Sequence, residues 1–110
     1  MHERGMVSAA AANLIETVSG RSLSEVTVAI GPTVSAEIAA EAWMSAVLGT
    51  TAEQATVHWV GRSHVLACFL CGWEYAGDKL DVCPQCGGNG LVVAAAPEVE
   101  VEDWRFEGES

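Results

Sequence analysis

Four cysteines carry the most specific chemistry in this 110-residue chain. They stand as Cys68-Phe69-Leu70-Cys71-Gly72 and Cys83-Pro84-Gln85-Cys86-Gly87, two copies of C-x-x-C-G with eleven residues between them. A two-residue spacer lets both sulfurs of a pair reach one ion while the N–H groups of the turn point at them. Glycine after each pair permits the positive φ that such a knuckle needs, and Pro84 stiffens the second turn. Four thiolates saturate a tetrahedral Zn(II), which makes a closed structural site with no position left for catalysis. The same residues also read as two disulfides, a redox pair or an iron centre of the rubredoxin type. Disulfides suit an oxidising compartment. A redox pair belongs at the start of a helix, and neither pair precedes a helical pattern. Iron takes the same four ligands, and spacing does not separate it from zinc; ligand type and a reducing compartment favour zinc.

A second set of ligand atoms stands at Met1-His2-Glu3. A free α-amine, the amide nitrogens that follow and an imidazole at position 2 can lie in one plane around one ion. Ni(II) and Cu(II) accept such nitrogen-rich, square-planar surroundings, and Zn(II) does not prefer them. Histidine is bulky, so Met1 is expected to be retained. On the residues alone, the competing reading is a histidine with no role. His58, within a strand pattern, and His64, on the approach to Cys68, read as structural or exposed rather than as ligands.

These ligands need a scaffold, and half of the residues are apolar but only 6% aromatic. A core of small side chains buries little area per residue, so the chain is expected to need a staple. Residues 6–19 read as a helix, with Val7, Ala11, Leu14 and Val18 on one stripe, Ile15 widening it and Gly20 ending it. Glu25 to Ile30 alternates as a strand, and Gly31-Pro32 stops it. Ser35 caps a second helix whose expected buried face is Ala40, Trp43, Met44, Val47 and Leu48, with Glu37, Glu41 and Ser45 in water. Thr56 to Val60 reads as another strand, and residues 98–106 as a half-buried one, with valine and glutamate in strict alternation before Trp104 and Phe106.

The predicted fold class is therefore α+β: a small sheet of about three strands packed with two helices, plus an inserted four-cysteine ribbon. The α/β part takes residues 1–66 and is completed by the returning strand 98–106. The ribbon takes 67–96, and 107–110 is expected to be a frayed acidic tail.

Fifteen acids against five bases give a formal charge of −10. That excludes nucleic acid as a partner, since phosphate binding needs a basic surface. Metal cations and basic protein surfaces remain. Apolar stretches are too short for a membrane span, and no cationic n-region precedes the first of them, so a cytoplasmic protein is expected. No nucleophile is paired with a base and no phosphate loop is present, so an enzyme is not expected.

Met1-His2-Glu3, then helix, strand ending Ile30-Gly31, helix, strand, two C-x-x-C-G knuckles and an acidic closing strand together resemble the HypA/HybF family of nickel chaperones, from Met1 to about Phe106. The resemblance implies a non-enzymatic accessory protein of [NiFe]-hydrogenase maturation, sometimes of urease. It implies Ni(II), as transient cargo, at the Met1 α-amine and His2, with Glu3 giving its backbone or a supporting contact. It implies structural Zn(II) at Cys68, Cys71, Cys83 and Cys86. The implied partners are a nickel-handling GTPase and the hydrogenase large-subunit precursor, with monomer and homodimer both open. Arg4-Gly5, Pro32-Thr33, the Gly87 to Gly90 segment and Ala94 to Ala96 depart from the family's usual pattern. Arg4 is expected to place a cation near the nickel site, and Gly5 to loosen the start of the first helix. The second reading is a zinc-ribbon adaptor whose acidic surface docks on a basic protein and which has no nickel role.

Overall fold

A computed structural model of the chain describes residues 2–108, with side chains from Glu3 onward. Helix α1 spans His2–Val18, strand β1 Leu23–Ile30, helix α2 Ala36–Val47 and strand β2 Thr56–Gly61. Strands β3 (His64–Cys68), β4 (Glu74–Gly77), β5 (Gly90–Ala94) and β6 (Val99–Phe106) follow. The α+β class and the two helices are as expected, and the strands form two sheets of three, ordered β2-β1-β6 and β4-β3-β5.

The stripe on α1 holds: Val7, Ala11, Leu14 and Val18 are all buried. The helix starts four residues earlier than its periodicity suggests, so Gly5 lies inside it rather than in a loose lead-in. Contacts with α2 explain the longer helix. The Ser35 N–H donates to Glu3 Oε1 at 3.4 Å, and Arg4 Nη2 lies 3.5 Å from Glu41 Oε2. Arg4 therefore pairs with a carboxylate of α2.

Ser35 caps α2 as expected, its Oγ accepting from the Ile38 N–H at 3.4 Å. The buried face differs. Ala39, Ala42, Trp43 and Val47 are inside, whereas Met44 and Leu48 are each 71% exposed. Alanine on the inner side lets α2 lie close on α1, and Leu48 falls beyond the last helical residue, where the backbone is already extended (ψ 128).

In the first sheet β1 pairs with β2 in parallel and with β6 antiparallel. Parallel pairing requires a crossover, and α2 supplies it. The register of β6 slips between Thr27↔Asp103 and Val28↔Val101, leaving Glu102 as the extra residue of a bulge. The bulge keeps Val99, Val101, Trp104 and Phe106 on the helix-covered side although their spacing changes phase. The signal was present in the sequence: two acids in a row, Glu102-Asp103, interrupt the alternation. Beyond β6, the Glu107 N–H donates to Ser22 O at 2.9 Å, so the chain stays tied one residue into the expected tail. Residues 109–110 of that tail lie outside the described residues.

The ribbon sheet starts at His64. Its core is separate and small: Leu66, Cys68, Tyr75 and Cys83, with Val92 packed against them.

Candidate metal centre

The two knuckles repeat one hydrogen-bond scheme. Gly72 N–H donates to Cys68 O (3.0 Å) and Gly87 N–H to Cys83 O (2.8 Å), closing each turn. Cys68 N–H donates to Trp73 O (2.9 Å) and Cys83 N–H to Gly88 O (2.8 Å). Leu70 N–H points at Cys68 Sγ and Gln85 N–H at Cys83 Sγ, each at 3.4 Å. Gly72 and Gly87 take φ of 76 and 77, the left-handed conformation that the C-x-x-C-G pattern called for.

Strand β3 delivers Cys68 and the turn after it Cys71. The second pair is brought alongside by Phe69 N–H to Asn89 O (3.0 Å) and by the bridge between Val82 and Asn89. All four Sγ atoms lie within 4.8 Å of one another. Cys68 and Cys86 are 3.4 Å apart, Cys71 and Cys83 3.6 Å, Cys71 and Cys86 3.7 Å. Sulfurs at about 2.3 Å from the centre of a tetrahedron sit about 3.8 Å from each other. The quartet thus has the spacing of one tetrahedral ion, and far more than the ~2.05 Å of a disulfide. All four cysteines are free.

Electrostatics at the quartet favour a cation. The N–H of Cys71, with that of Leu70, pulls the Cys68 thiol down to about 6. The Gly88 N–H acts the same way on Cys86, but its close neighbours Cys68, Cys71 and Cys83 push that thiol up to about 12. Four sulfurs this close do not all carry charge without a cation among them. A dication relieves that repulsion, which is the ordinary logic of a thiolate site.

The amino-terminal ligands are only partly placed. The Met1 α-amine and the His2 side chain lie outside the described residues, and the His2 backbone opens α1. The Glu3 carboxylate is engaged at the start of α2. Of the other histidines, His58 Nε2 meets Glu25 Oε1 at 2.8 Å on an exposed sheet face. His64 Nδ1 accepts from the Ala96 N–H at 2.8 Å. Sequence reasoning gave His64 no particular partner, and no local signal links it to a residue 32 positions away.

A family model described as hydrogenase/urease nickel incorporation, metallochaperone, HypA matches residues 1–106. The chain belongs to the HypA family. The hydrogenase maturation factor HypA of Rhodobacter capsulatus is 31% identical over 109 residues, covering 94% of this chain and 96% of that protein. The solution structure of the Ni metallochaperone HypA from Helicobacter pylori matches the fold with a TM-score of 0.61 at 18% identity, over 97% of this chain and 98% of that one. A second HypA solution structure matches with a TM-score of 0.62 at 19% identity, over 99% and 98%. The expected HypA resemblance is therefore correct, and the adaptor reading finds no support in these matches. No helix among the described residues is long and apolar enough to cross a membrane.

Proposed function

We propose that this HypA-family chain carries Ni(II) at its amino terminus and delivers it for [NiFe]-hydrogenase maturation, as a binding protein and not as an enzyme. The observation that carries the reading is the family match, which runs from residue 1 and so includes Met1-His2-Glu3 together with both knuckles. The Met1 α-amine and the His2 imidazole hold the nickel, with Glu3 contributing its backbone. The helix start supports this assignment. The first N–H groups of an α-helix have no intrahelical acceptor, so using the amides at His2 and Glu3 as nitrogen ligands breaks no helix hydrogen bond.

Cys68, Cys71, Cys83 and Cys86 hold Zn(II), which supplies a structural cross-link; the tetrahedral sulfur spacing and the thiolate chemistry support it. The first sheet with its two helices forms the nickel-carrying part and the sheet that starts at His64 the zinc ribbon, each with its own apolar cluster, so the division falls at about residue 64 rather than 66. The receiving partners are a nickel-handling GTPase and the hydrogenase large-subunit precursor. The compartment is the cytoplasm, where free thiols persist as ligands.

The test is a Ni(II) titration of zinc-loaded protein, followed by visible absorption and elemental analysis. One nickel per chain is expected, lost in His2→Ala and when residues are added before Met1, and retained in His58→Ala. Equal nickel affinity in all of these proteins places the nickel elsewhere and overturns the assignment.

A further inference from the structure

Strand β6 ends the order of the first sheet, and among the described residues no strand pairs with its outer edge. An edge strand offers a row of backbone donors and acceptors to any extended chain. Beside this edge lies a groove of about 410 Å³, between Met6, Ala10 and Thr17 of α1 and Val99, Val101 and Trp104 of β6. The groove is lined from one face of β6, by Val99, Val101 and Trp104, so a strand added to β6 would turn alternate side chains toward that face. The other side chains would fall on the opposite face of the sheet. There Glu100 and Asp103 of β6 pair in register with Ala29 and Thr27, and both acids are exposed.

We propose that the β6 edge and the α1–β6 groove form a docking site for an extended segment of a partner protein, in which apolar residues alternate with basic ones. The apolar residues fill the groove and the basic ones meet Glu100 and Asp103. This is strand addition, in which main-chain hydrogen bonds supply affinity and pockets for alternate side chains supply specificity. Other occupants fit worse. A second copy adding its own β6 would set Glu100 and Asp103 of one chain against those of the other, and like charges facing across strands destabilise. The whole chain carries −10, which opposes self-association further. The groove begins at Met6, one helical turn from His2, so a docked segment is brought beside the amino terminus. The site does not depend on the nickel assignment.

The experiment titrates zinc-loaded, isotopically labelled full-length protein with a synthetic peptide of alternating valine and lysine, read by amide chemical shifts. Two control peptides carry the same residues in two blocks, or glutamate in place of lysine. Saturable shifts confined to residues 6–17 and 99–106 are expected for the alternating peptide, with affinity at least roughly tenfold weaker for both controls. Ala10→Phe, which fills the groove, should abolish the shifts. Because that variant can disturb α1, the exposed pair Glu100→Lys and Asp103→Lys provides a second arm, expected to weaken binding about tenfold with an unchanged spectrum of the free protein. Equal binding of the block peptide, shifts centred on other acidic surfaces, or full affinity after the charge reversals overturns the proposal. Self-association through this edge, seen by sedimentation, overturns it in favour of a second copy.

Discussion

His64 Nδ1 accepts the Ala96 N–H at 2.8 Å, so a residue that enters the ribbon holds the residue that leaves it. The bond closes the base of an insertion whose two ends join β2 and β6, the strands on either side of β1. Close by, Arg62 N–H donates to Ile30 O (2.8 Å) and Gly31 N–H to Glu98 O (2.9 Å). Both chain crossings are thus fastened to the end of β1. His64→Leu should loosen this base, with a loss of about 1 kcal/mol in stability for one hydrogen bond. Faster amide exchange at Ala96 with the metal retained is the expected result; unchanged protection of that amide would count against the clamp.

Replacing Cys71 or Cys86 by serine should release or weaken the metal and disorder the segment from about Cys68 to Gly90. The ribbon core is four residues with one more packed on it, and two of those four, Cys68 and Cys83, belong to the sulfur quartet. Without the ion it has too little apolar area to persist. The first sheet and its helices have a separate core and should keep their spectrum. Elemental analysis gives the metal content and amide spectra give the folded part. A fully metallated, ordered serine variant is the outcome that contradicts the four-thiolate site.

Gly31 sits where the end of β1 meets the start of β6. A Cβ there would lie 2.7 Å from Pro97 O, a backbone atom that cannot swing aside. Gly31→Ala should therefore move the junction and cost on the order of 1–3 kcal/mol, the range for overpacked sites. Thermal unfolding of the metal-loaded protein measures it. An alanine variant as stable as the parent would show that the junction yields freely.

Arg62 clasps Glu102 with two hydrogen bonds, Nε at 3.0 Å and Nη2 at 2.6 Å. That pairing holds the Glu102 carboxyl below its ordinary value. A carboxyl whose folded value lies below its unfolded one stabilises the fold fully above the unfolded value. Its contribution falls away as pH drops through the folded value. Stability of the parent should therefore decline on acidification below about pH 4.5 more steeply than that of Arg62→Met, which lacks the partner. Denaturant unfolding between pH 6 and about 3 decides it. Parallel pH profiles would show that the pair contributes nothing measurable, as exposed pairs sometimes do.

The sequence alone determined what depends on neighbours a few positions away. Spacing placed Val7, Ala11, Leu14 and Val18 on one stripe, Ser35 at a helix start, and positive-φ glycines after each cysteine pair. It also singled out the four cysteines whose sulfurs the fold gathers, because a knuckle is a local turn whose sulfurs are aimed by its own N–H groups. Tertiary structure decided what depends on a distant surface. Met44 and Leu48 have the right spacing for burial, yet they are exposed because the face that α2 buries runs through Ala39, Ala42, Trp43 and Val47, and periodicity does not choose which partner a helix meets. The bulge at Glu102 follows from the register of β1 against β6, and the division of six strands into two sheets follows from pairings across as many as 83 residues, Leu23 to Phe106. The His64–Ala96 clamp exists only because the inserted ribbon brings its ends together. Local patterns fix φ, ψ and amphipathic faces; the surfaces that cover those faces come from chain closure, which no window of neighbouring residues encodes.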